Sequence, residues 1–217
     1  MASLLLFGAT GVVGRAVLNL ALKHPDVHQV TAVTRRPLAA SLLAQHPKLC
    51  NPVVDMANLP SDAPWWKADA IICTLGTTIK QAGTPEKFRE VDLHLVNNVA
   101  TLAARHGTHT AVLNSSSMAN PKARGLYLRT KGEAEQAVLK AGFQRVVIAR
   151  PGLLDGDREE FRLGEEIGVK ASRLLNPLLP KRLRSVKVER LAAVMLAEAL
   201  RNNPNHTILE SEKFQAD

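Results

Sequence analysis

The chain has 217 residues, of which 46% are apolar, 4% are aromatic and two are cysteines, and its formal net charge is +8 at pH 7. This length suits a single domain with a substantial core, and two cysteines support neither a disulfide framework nor a metal site. The start of the chain lacks the pattern of a secretory signal, and no apolar run reaches the roughly 18 residues of a membrane span. Few aromatic residues and no recognisable motif argue against nucleic-acid binding, although the net charge alone does not separate a nucleic-acid binder from an enzyme with an anionic cofactor and substrate. The two cysteines are expected to be reduced, which favours a cytoplasmic location.

Strand and helix patterns alternate along the chain. The predicted strands cover residues 4–7, 29–34, 51–54, 70–74, 110–114, 145–149 and 207–210, and the predicted helices cover residues 13–23, 39–45, 85–105, 130–141 and 188–201. This alternation predicts an α/β fold with a doubly wound parallel sheet and helices on both faces. Residues 151–217 are too few for a second domain, so we expect one domain over 1–217 that ends in a small substrate-side lid region.

The first predicted strand leads into a glycine-rich turn. Gly8, Gly11 and Gly14 lie between the apolar run Leu4–Phe7 and an amphipathic helix. In this order, glycines permit a tight turn, close approach of the backbone to a pyrophosphate and close helix packing. The helix N-terminus then favours the anion. Glycine alone is common at such junctions, but the order of strand, glycines and helix predicts a nucleotide site.

Polar residues follow the next three predicted strands, and ligands of such sheets bind at the carboxyl ends of strands. Arg35 and Arg36 stand where an acidic residue would bind the ribose of NAD, so they favour NADP, although exposed loop arginines are common. Asp55 could meet an adenine edge or cap its own turn. Thr74–Thr78, with Thr77 as a candidate cofactor contact, could face the cofactor or form a plain glycine turn.

The fifth predicted strand precedes a candidate catalytic group. Tyr127, the single tyrosine, and Lys131 are spaced to share a helix face, so the ammonium could stabilise a tyrosinate and hydrogen-bond a ribose. Both residues are therefore also candidate cofactor contacts. Ser115 or Ser116 could then orient a substrate carbonyl while Tyr127 acts as acid or base. Taken alone, the pair also fits a half-buried tyrosine beside a solvated lysine.

Two other groups of polar residues have structural interpretations. Asn97 and Asn98 lie on a predicted helix beside the site, where one could reach a water near Lys131, but exposed positions are expected. Acidic residues at 159–160 and 165–166, mixed with arginines, are interpreted as part of a charged lid.

Several motifs together resemble a known family. Gly8-x-x-Gly11-x-x-Gly14, Ser115–Ser116 and Tyr127-x-x-x-Lys131 resemble the atypical branch of the short-chain dehydrogenase/reductase superfamily. A closer likeness is to the Tat-interacting oxidoreductase-like family and its bacterial relatives. This likeness rests on segments that span most of the chain, namely residues 34–37, 75–83, 91–92, 126–133 and 150–158.

The resemblance implies a Rossmann fold that binds NADP(H). It assigns Tyr127 as the acid/base residue and Lys131 as its helper. The positions that match the family's cofactor contacts are Thr10, Gly11, Val12 and Val13 for the pyrophosphate, Arg35 and Arg36 for the 2′-phosphate, Leu75 and Gly76 on the nicotinamide side, and Leu154 and Arg162 in a segment that closes over the cofactor.

The sequence therefore predicts an NADP(H)-dependent oxidoreductase that transfers hydride to a small carbonyl substrate. The alternative is an NADPH-binding sensor or scaffold that signals to a protein partner without turnover. A nucleotide-sugar epimerase is disfavoured, because the segment after Pro151 is short for enclosing such a substrate. The resemblance fixes no substrate, and monomer and homodimer both stay open.

Overall fold

The computed structural model describes residues 1–155 and 185–215. The strands are β1 Ala2–Phe7, β2 Val27–Val33, β3 Leu49–Cys50, β4 Ala70–Cys73, β5 Thr110–Asn114, β6 Arg145–Arg150, β7 Leu154–Asp155, β8 Val186–Lys187 and β9 His206–Glu210. The helices are α1 Val12–Lys23, α2 Ala40–Gln45, α3 Ile79–Ala82, α4 Pro85–Arg89, α5 Val96–Arg105, α6 Leu126–Lys140 and α7 Val188–Ala199. A π-helical segment, Glu90–Leu95, lies between α4 and α5, and Pro64–Trp66 and Ser211–Phe214 form 3-10 turns.

The central sheet has seven strands in the order β3-β2-β1-β4-β5-β6-β9, and every neighbouring pair is parallel. Leu4 and Leu6 of β1 pack with α1 and α7, whereas Leu5 and Phe7 pack with α5 and α6. Alternate side chains of a strand point to opposite faces, so a continuous apolar run suits a strand between two helical layers. The predicted doubly wound α/β fold of Rossmann type is confirmed.

The strand order reverses between β1 and β4, and this is where ligands bind in open α/β sheets. The two loops at this reversal are joined directly. Thr74 Oγ1, just after β4, is 3.1 Å from the carbonyl oxygen of Phe7 and 3.2 Å from that of Gly8. The predicted site residues after both strands therefore share one edge of the sheet.

The predicted strand over residues 51–54 is wrong in position. Pairing with β2 occurs at β3 and resumes only as an isolated bridge between Thr34 and Val53. Asn51 explains the interruption, because its Nδ2 donates to the Ala32 carbonyl at 2.7 Å and its Oδ1 accepts from the Leu38 N–H at 2.8 Å. The side chain thus takes the place of a strand partner and holds the loop after β2.

Two predicted helices differ from the observed bounds by more than two residues. The single helix expected over residues 85–105 is divided into α4, the π-helical segment and α5. Helix α6 begins at Leu126 instead of residue 130, so both Tyr127 and Lys131 lie on it.

Most of the described C-terminal residues belong to the main body of the fold. Helix α7 packs beside α1 in the core, β9 is the last strand of the sheet, and β7 and β8 form a separate two-stranded pair. The rest of the predicted lid region, residues 156–184, lies outside the described residues. Within residues 1–155 and 185–215, we find no helix with the length and apolarity needed to cross a membrane.

Candidate functional site

A tight corner follows β1. Gly8 has a left-handed φ of +87°, and a Cβ on Gly14 would lie 2.0 Å from the Gly8 carbonyl oxygen. Neither position accepts a side chain without rearrangement. The Gly11 N–H donates to the same carbonyl at 3.0 Å, but a Cβ on Gly11 would keep a distance of 3.4 Å from it. The corner is therefore built by Gly8 and Gly14, whereas Gly11 leaves its outer surface open.

Helix α1 begins directly after this corner. It has no side-chain cap and no acidic residue in its first turn, which leaves its positive end uncompensated by side chains. Thr10 and Gly11 are exposed here, whereas Val13 is buried and Val12 packs against the core. Only the backbone of these two valines could contact a pyrophosphate, so the corner suits an anion bound by backbone N–H groups.

The loop after β2 presents two arginines. Arg35 and Arg36 are exposed, and among the residues described neither has a carboxylate partner. The backbone beneath them is held, because Thr34 Oγ1 donates to the Arg36 carbonyl at 2.7 Å and Asn51 Nδ2 donates to Thr34 Oγ1 at 2.8 Å. The loop thus offers two unpaired guanidinium groups on a fixed backbone.

The Asp55 side chain caps its own turn, which is one of the two arrangements expected from the sequence. Its carboxylate accepts from the Ala57 N–H and from Asn58 Nδ2, both at 2.9 Å, and these bonds lower the pKa of Asp55. The carboxylate is exposed, and its contact with adenine stays a prediction. Leu154 is half-buried in β7 and packs against the core, whereas Arg162 lies outside the described residues.

A buried ion pair lies beneath the turn after β4. Lys131 Nζ donates to Asp92 Oδ1 at 3.2 Å, and the Thr77 N–H donates to Asp92 Oδ2 at 2.8 Å. A Cβ on Gly76 would lie 3.3 Å from Asp92 Oδ1 and 3.7 Å from Lys131 Nζ. The side chains of Lys131 and Asp92 are only 7% and 1% exposed. The structure thus brings the predicted residues Leu75–Thr77 and Lys131 together.

The protonation of Lys131 depends on this environment. Burial disfavours the ammonium, but the charge of Asp92, the nearby Tyr127 and the hydrogen bond to Asp92 outweigh it and raise the pKa of Lys131. Burial raises the pKa of Asp92, while Lys131 and the Thr77 N–H act in the opposite direction. The adjacent Cys73 thiol is buried, which raises its pKa to about 11. Lys131 is therefore an ammonium at neutral pH, beside a neutral thiol.

Tyr127 lies one turn before Lys131 on α6 and is 39% exposed. Its ring packs against Phe88 of α4, with ring centroids 5.9 Å apart. The alternative of a solvated lysine beside a half-buried tyrosine is wrong for Lys131, which is buried. A surface-accessible phenol thus stands next to a buried ammonium.

The two candidate serines differ in their surroundings. The Ser115 hydroxyl is buried and donates to Glu135 of α6. Ser116 is half-buried, and its hydroxyl is 3.3 Å from the Ser117 carbonyl oxygen, at the weak end of hydrogen-bond distances. Ser116 therefore has the more available hydroxyl.

Sequence reasoning assigned no role to Asp92 or Glu135. Asp92 stands between the apolar residues Val91 and Leu93, and an acidic residue that is buried among such neighbours needs a partner. Glu135 binds Arg150 through two bonds, from Nε at 2.9 Å and from Nη2 at 2.6 Å. No local spacing links Glu135 to Arg150, because the contact depends on how α6 crosses β6.

Comparison with known proteins identifies the family of the chain. Residues 8–202 match a family model described as NAD(P)H-binding. The chain is 34% identical over 176 residues to the mitochondrial protein FMP52 of Candida albicans, and the match covers 76% of this chain and 73% of that protein. It is 38% identical over 170 residues to the mitochondrial protein fmp52 of Aspergillus fumigatus, and this match covers 76% of this chain and 72% of that protein.

A solved structure shows the same fold. MoeE5 in complex with UDP-glucuronic acid and NAD has a TM-score of 0.70 at 16% identity, and the match covers 95% of this chain and 75% of that chain.

These relatives correct one prediction. The expected cytoplasmic location is wrong, because the similar fungal proteins are named mitochondrial. Reduced cysteines argue against an oxidising compartment and do not separate cytoplasm from mitochondrion. The family match, in contrast, extends from the glycine corner through the Gly76 turn and the Lys131–Asp92 pair. The chain belongs to the NAD(P)H-binding family and is a relative of the fungal FMP52 proteins.

Proposed function

We propose that this protein is an NADP(H)-dependent oxidoreductase that reduces a small carbonyl substrate with Tyr127 as the acid. One observation carries the proposal: an accessible phenol lies one helical turn from an ammonium buried under the Gly76 turn. A phenol with an ordinary pKa near 10 needs such a cation to exchange a proton near neutrality. The names of the relatives support a mitochondrial location.

The sheet edge fits the parts of a dinucleotide in order. The corner of Gly8 and Gly14, with Thr10 and Gly11 on its surface, would hold the pyrophosphate. The unpaired guanidinium groups of Arg35 and Arg36 would hold the 2′-phosphate and so favour NADP over NAD. The turn Leu75–Thr77 would line the nicotinamide side, and Leu154 and Arg162 remain candidate contacts.

The bound NADPH supplies the hydride. The Tyr127 hydroxyl donates its proton to the carbonyl oxygen as that oxygen gains negative charge, and the substrate leaves as an alcohol. Lys131 stabilises the phenolate that remains, until solvent returns the proton. The Ser116 hydroxyl polarises the carbonyl, because that of Ser115 is already bound to Glu135.

Substitution of Tyr127 by Phe tests this role. The variant keeps the ring that packs on Phe88 and loses only the hydroxyl. We expect NADPH oxidation with a panel of aldehydes, ketones and quinones to fall by at least about a hundredfold. The NADPH dissociation constant, measured by fluorescence, should stay within about threefold, since no phosphate contact is lost.

The same panel separates the enzyme from the alternative, an NADPH-binding sensor. The observation that supports the sensor is the bond from Ser115 to Glu135, which removes one of the two candidate serine hydroxyls. A wild-type protein that binds NADPH tightly yet shows no Tyr127-dependent oxidation with any substrate class would support the sensor and overturn the enzyme.

A further inference from the structure

We propose that Phe88 is a positioning residue that holds the ring of Tyr127 in one orientation, so that the phenol hydroxyl stays at a fixed place. This inference deepens the proposed function and rests on its assignment of Tyr127 as the acid. The ring centroids of Phe88 and Tyr127 are 5.9 Å apart, and the ring planes meet at 33°. Phe88 is fully buried whereas Tyr127 is 39% exposed, so Phe88 would act on the reaction only through Tyr127.

Phe88 lies outside the two apolar clusters that pack on the faces of the sheet in the described part of the chain. The other phenylalanines of this part, Phe7, Phe143 and Phe214, each belong to one of those clusters. A fully buried ring outside the main core forms a local contact. The aromatic ring that Phe88 contacts is that of Tyr127, so its burial serves the surroundings of the phenol.

The backbone that carries Phe88 is held in place. Pro85 occupies the first position of α4, which suits its fixed φ, and Thr84 caps the helix. The Thr84 hydroxyl accepts from the Lys87 N–H at 3.2 Å, and the Thr84 carbonyl accepts from the Phe88 N–H at 3.0 Å. Because Phe88 is also fully buried, its ring presents a fixed surface to its neighbour.

Two ion pairs join α4 and the π-helical segment to α6. Arg89 Nη1 donates to Glu133 Oε2 at 2.6 Å, and Lys131 Nζ donates to Asp92 Oδ1 at 3.2 Å. These pairs fix where α6 lies, but they leave the direction of the Tyr127 side chain open.

The ring contact fixes that direction. A tyrosine on a helix has more than one accessible χ1 rotamer, and these rotamers direct the hydroxyl to different places. Part of Tyr127 faces solvent, so the packed side of its ring decides the orientation. Loss of the Phe88 ring would let the Tyr127 ring turn into the vacated space. A displacement of a reacting group by about 1 Å can lower a rate by up to about a hundredfold.

Phe88→Leu, which removes the ring and keeps an apolar side chain, tests the role in turnover. We expect kcat for NADPH oxidation to fall about tenfold, while the NADPH dissociation constant stays within about twofold of the wild-type value. The matched control is Phe143→Leu. Phe143 is buried just before β6, at the opposite edge of the sheet, so this variant should keep kcat within about twofold.

The Tyr127→Phe background separates positioning from packing. In that background no hydroxyl remains to be placed, so Phe88→Leu should change the residual kcat by less than about twofold. An equal loss of kcat with and without the Tyr127 hydroxyl would overturn the proposal, and so would a wild-type kcat in Phe88→Leu.

The orientation of the ring can also be observed without turnover, because Tyr127 is the single tyrosine. Incorporation of 3-fluorotyrosine gives a fluorine NMR signal from this position alone. We expect the signal of the folded wild type to differ from that of the protein unfolded in urea. Phe88→Leu should move the signal toward the unfolded position, whereas Phe143→Leu should leave it in place.

Circular dichroism verifies that each variant is folded. If Phe88→Leu does not fold, Phe88→Met, whose flexible side chain fills more of the space, replaces it with the same expectations. A fluorine signal that is the same in the wild type and the Phe88 variant would contradict the inference. A signal that moves as expected in a protein without any turnover would count against the proposed enzyme and not against the ring contact.

Discussion

Gly11 and Gly14 belong to one motif but have different physical roles. A Cβ on Gly14 would lie 2.0 Å from the Gly8 carbonyl oxygen, whereas a Cβ on Gly11 would lie 3.4 Å from it. Gly11 has an ordinary φ of −76° and is exposed. Gly14 is therefore required by the fold, whereas Gly11 is required only by a ligand that approaches the backbone.

Alanine substitutions should separate the two roles. Gly14→Ala should lower the free energy of unfolding, measured with urea, by at least about 3 kcal/mol, because the overlap is with backbone. Gly11→Ala should change it by less than about 1 kcal/mol yet weaken NADPH binding by at least about tenfold. A Gly11→Ala protein with wild-type NADPH affinity would argue against a pyrophosphate at this corner.

At the scale of elements, one ion-pair network joins α6, β6 and β9. Arg150 of β6 binds Glu135 of α6 through two hydrogen bonds and reaches Glu210 of β9 at 3.0 Å. Glu135 also accepts from Ser115 after β5. The side chain of Glu135 is 5% exposed, whereas that of Glu210 is 48% exposed.

Glutamine substitutions at the two ends of this network should differ in stability. Glu135→Gln should lower the free energy of unfolding by about 2 kcal/mol, because a buried charged bond to Arg150 is lost. Glu210→Gln, its matched control, should cost less than about 0.5 kcal/mol, since water screens the exposed pair. Equal losses in urea unfolding experiments would show that burial does not distinguish the two contacts.

Local sequence patterns predicted best those elements whose structure depends on residues that are neighbours along the chain. The apolar run of β1 required burial on both faces, and His24 and Pro25 follow the end of α1 as expected of a helix stop. The short β3 was misplaced because Asn51 uses its side chain to bond Ala32 and Leu38, which are distant in sequence. The π-helical segment was missed because no residue pattern marks a change of helical phase.

At the scale of the whole molecule, the position of the site could be predicted, because parallel strands bring their carboxyl ends to one edge of the sheet. The glycine corner, the Gly76 turn and Lys131 lie together at this edge. The partner of Lys131 could not be predicted, because Asp92 reaches it through tertiary packing of the π-helical segment on α6. The expected cytoplasmic location also had no basis in the core or site, and the names of the relatives contradict it.

The central claim is that the carboxyl edge of the sheet binds NADP(H) with its 2′-phosphate at Arg35 and Arg36. Fluorescence titration of NADPH and NADH with the wild type and with the Arg35→Ala, Arg36→Ala double variant tests it most directly. Charged hydrogen bonds of about 1.5 kcal/mol each predict an NADPH affinity lowered about a hundredfold, with NADH affinity nearly unchanged. Arg105→Ala, in the last turn of α5 near the opposite edge of the sheet, is the control and should bind NADPH as the wild type does. Equal wild-type affinities for the two cofactors, or undiminished NADPH binding by the double variant, would contradict the account.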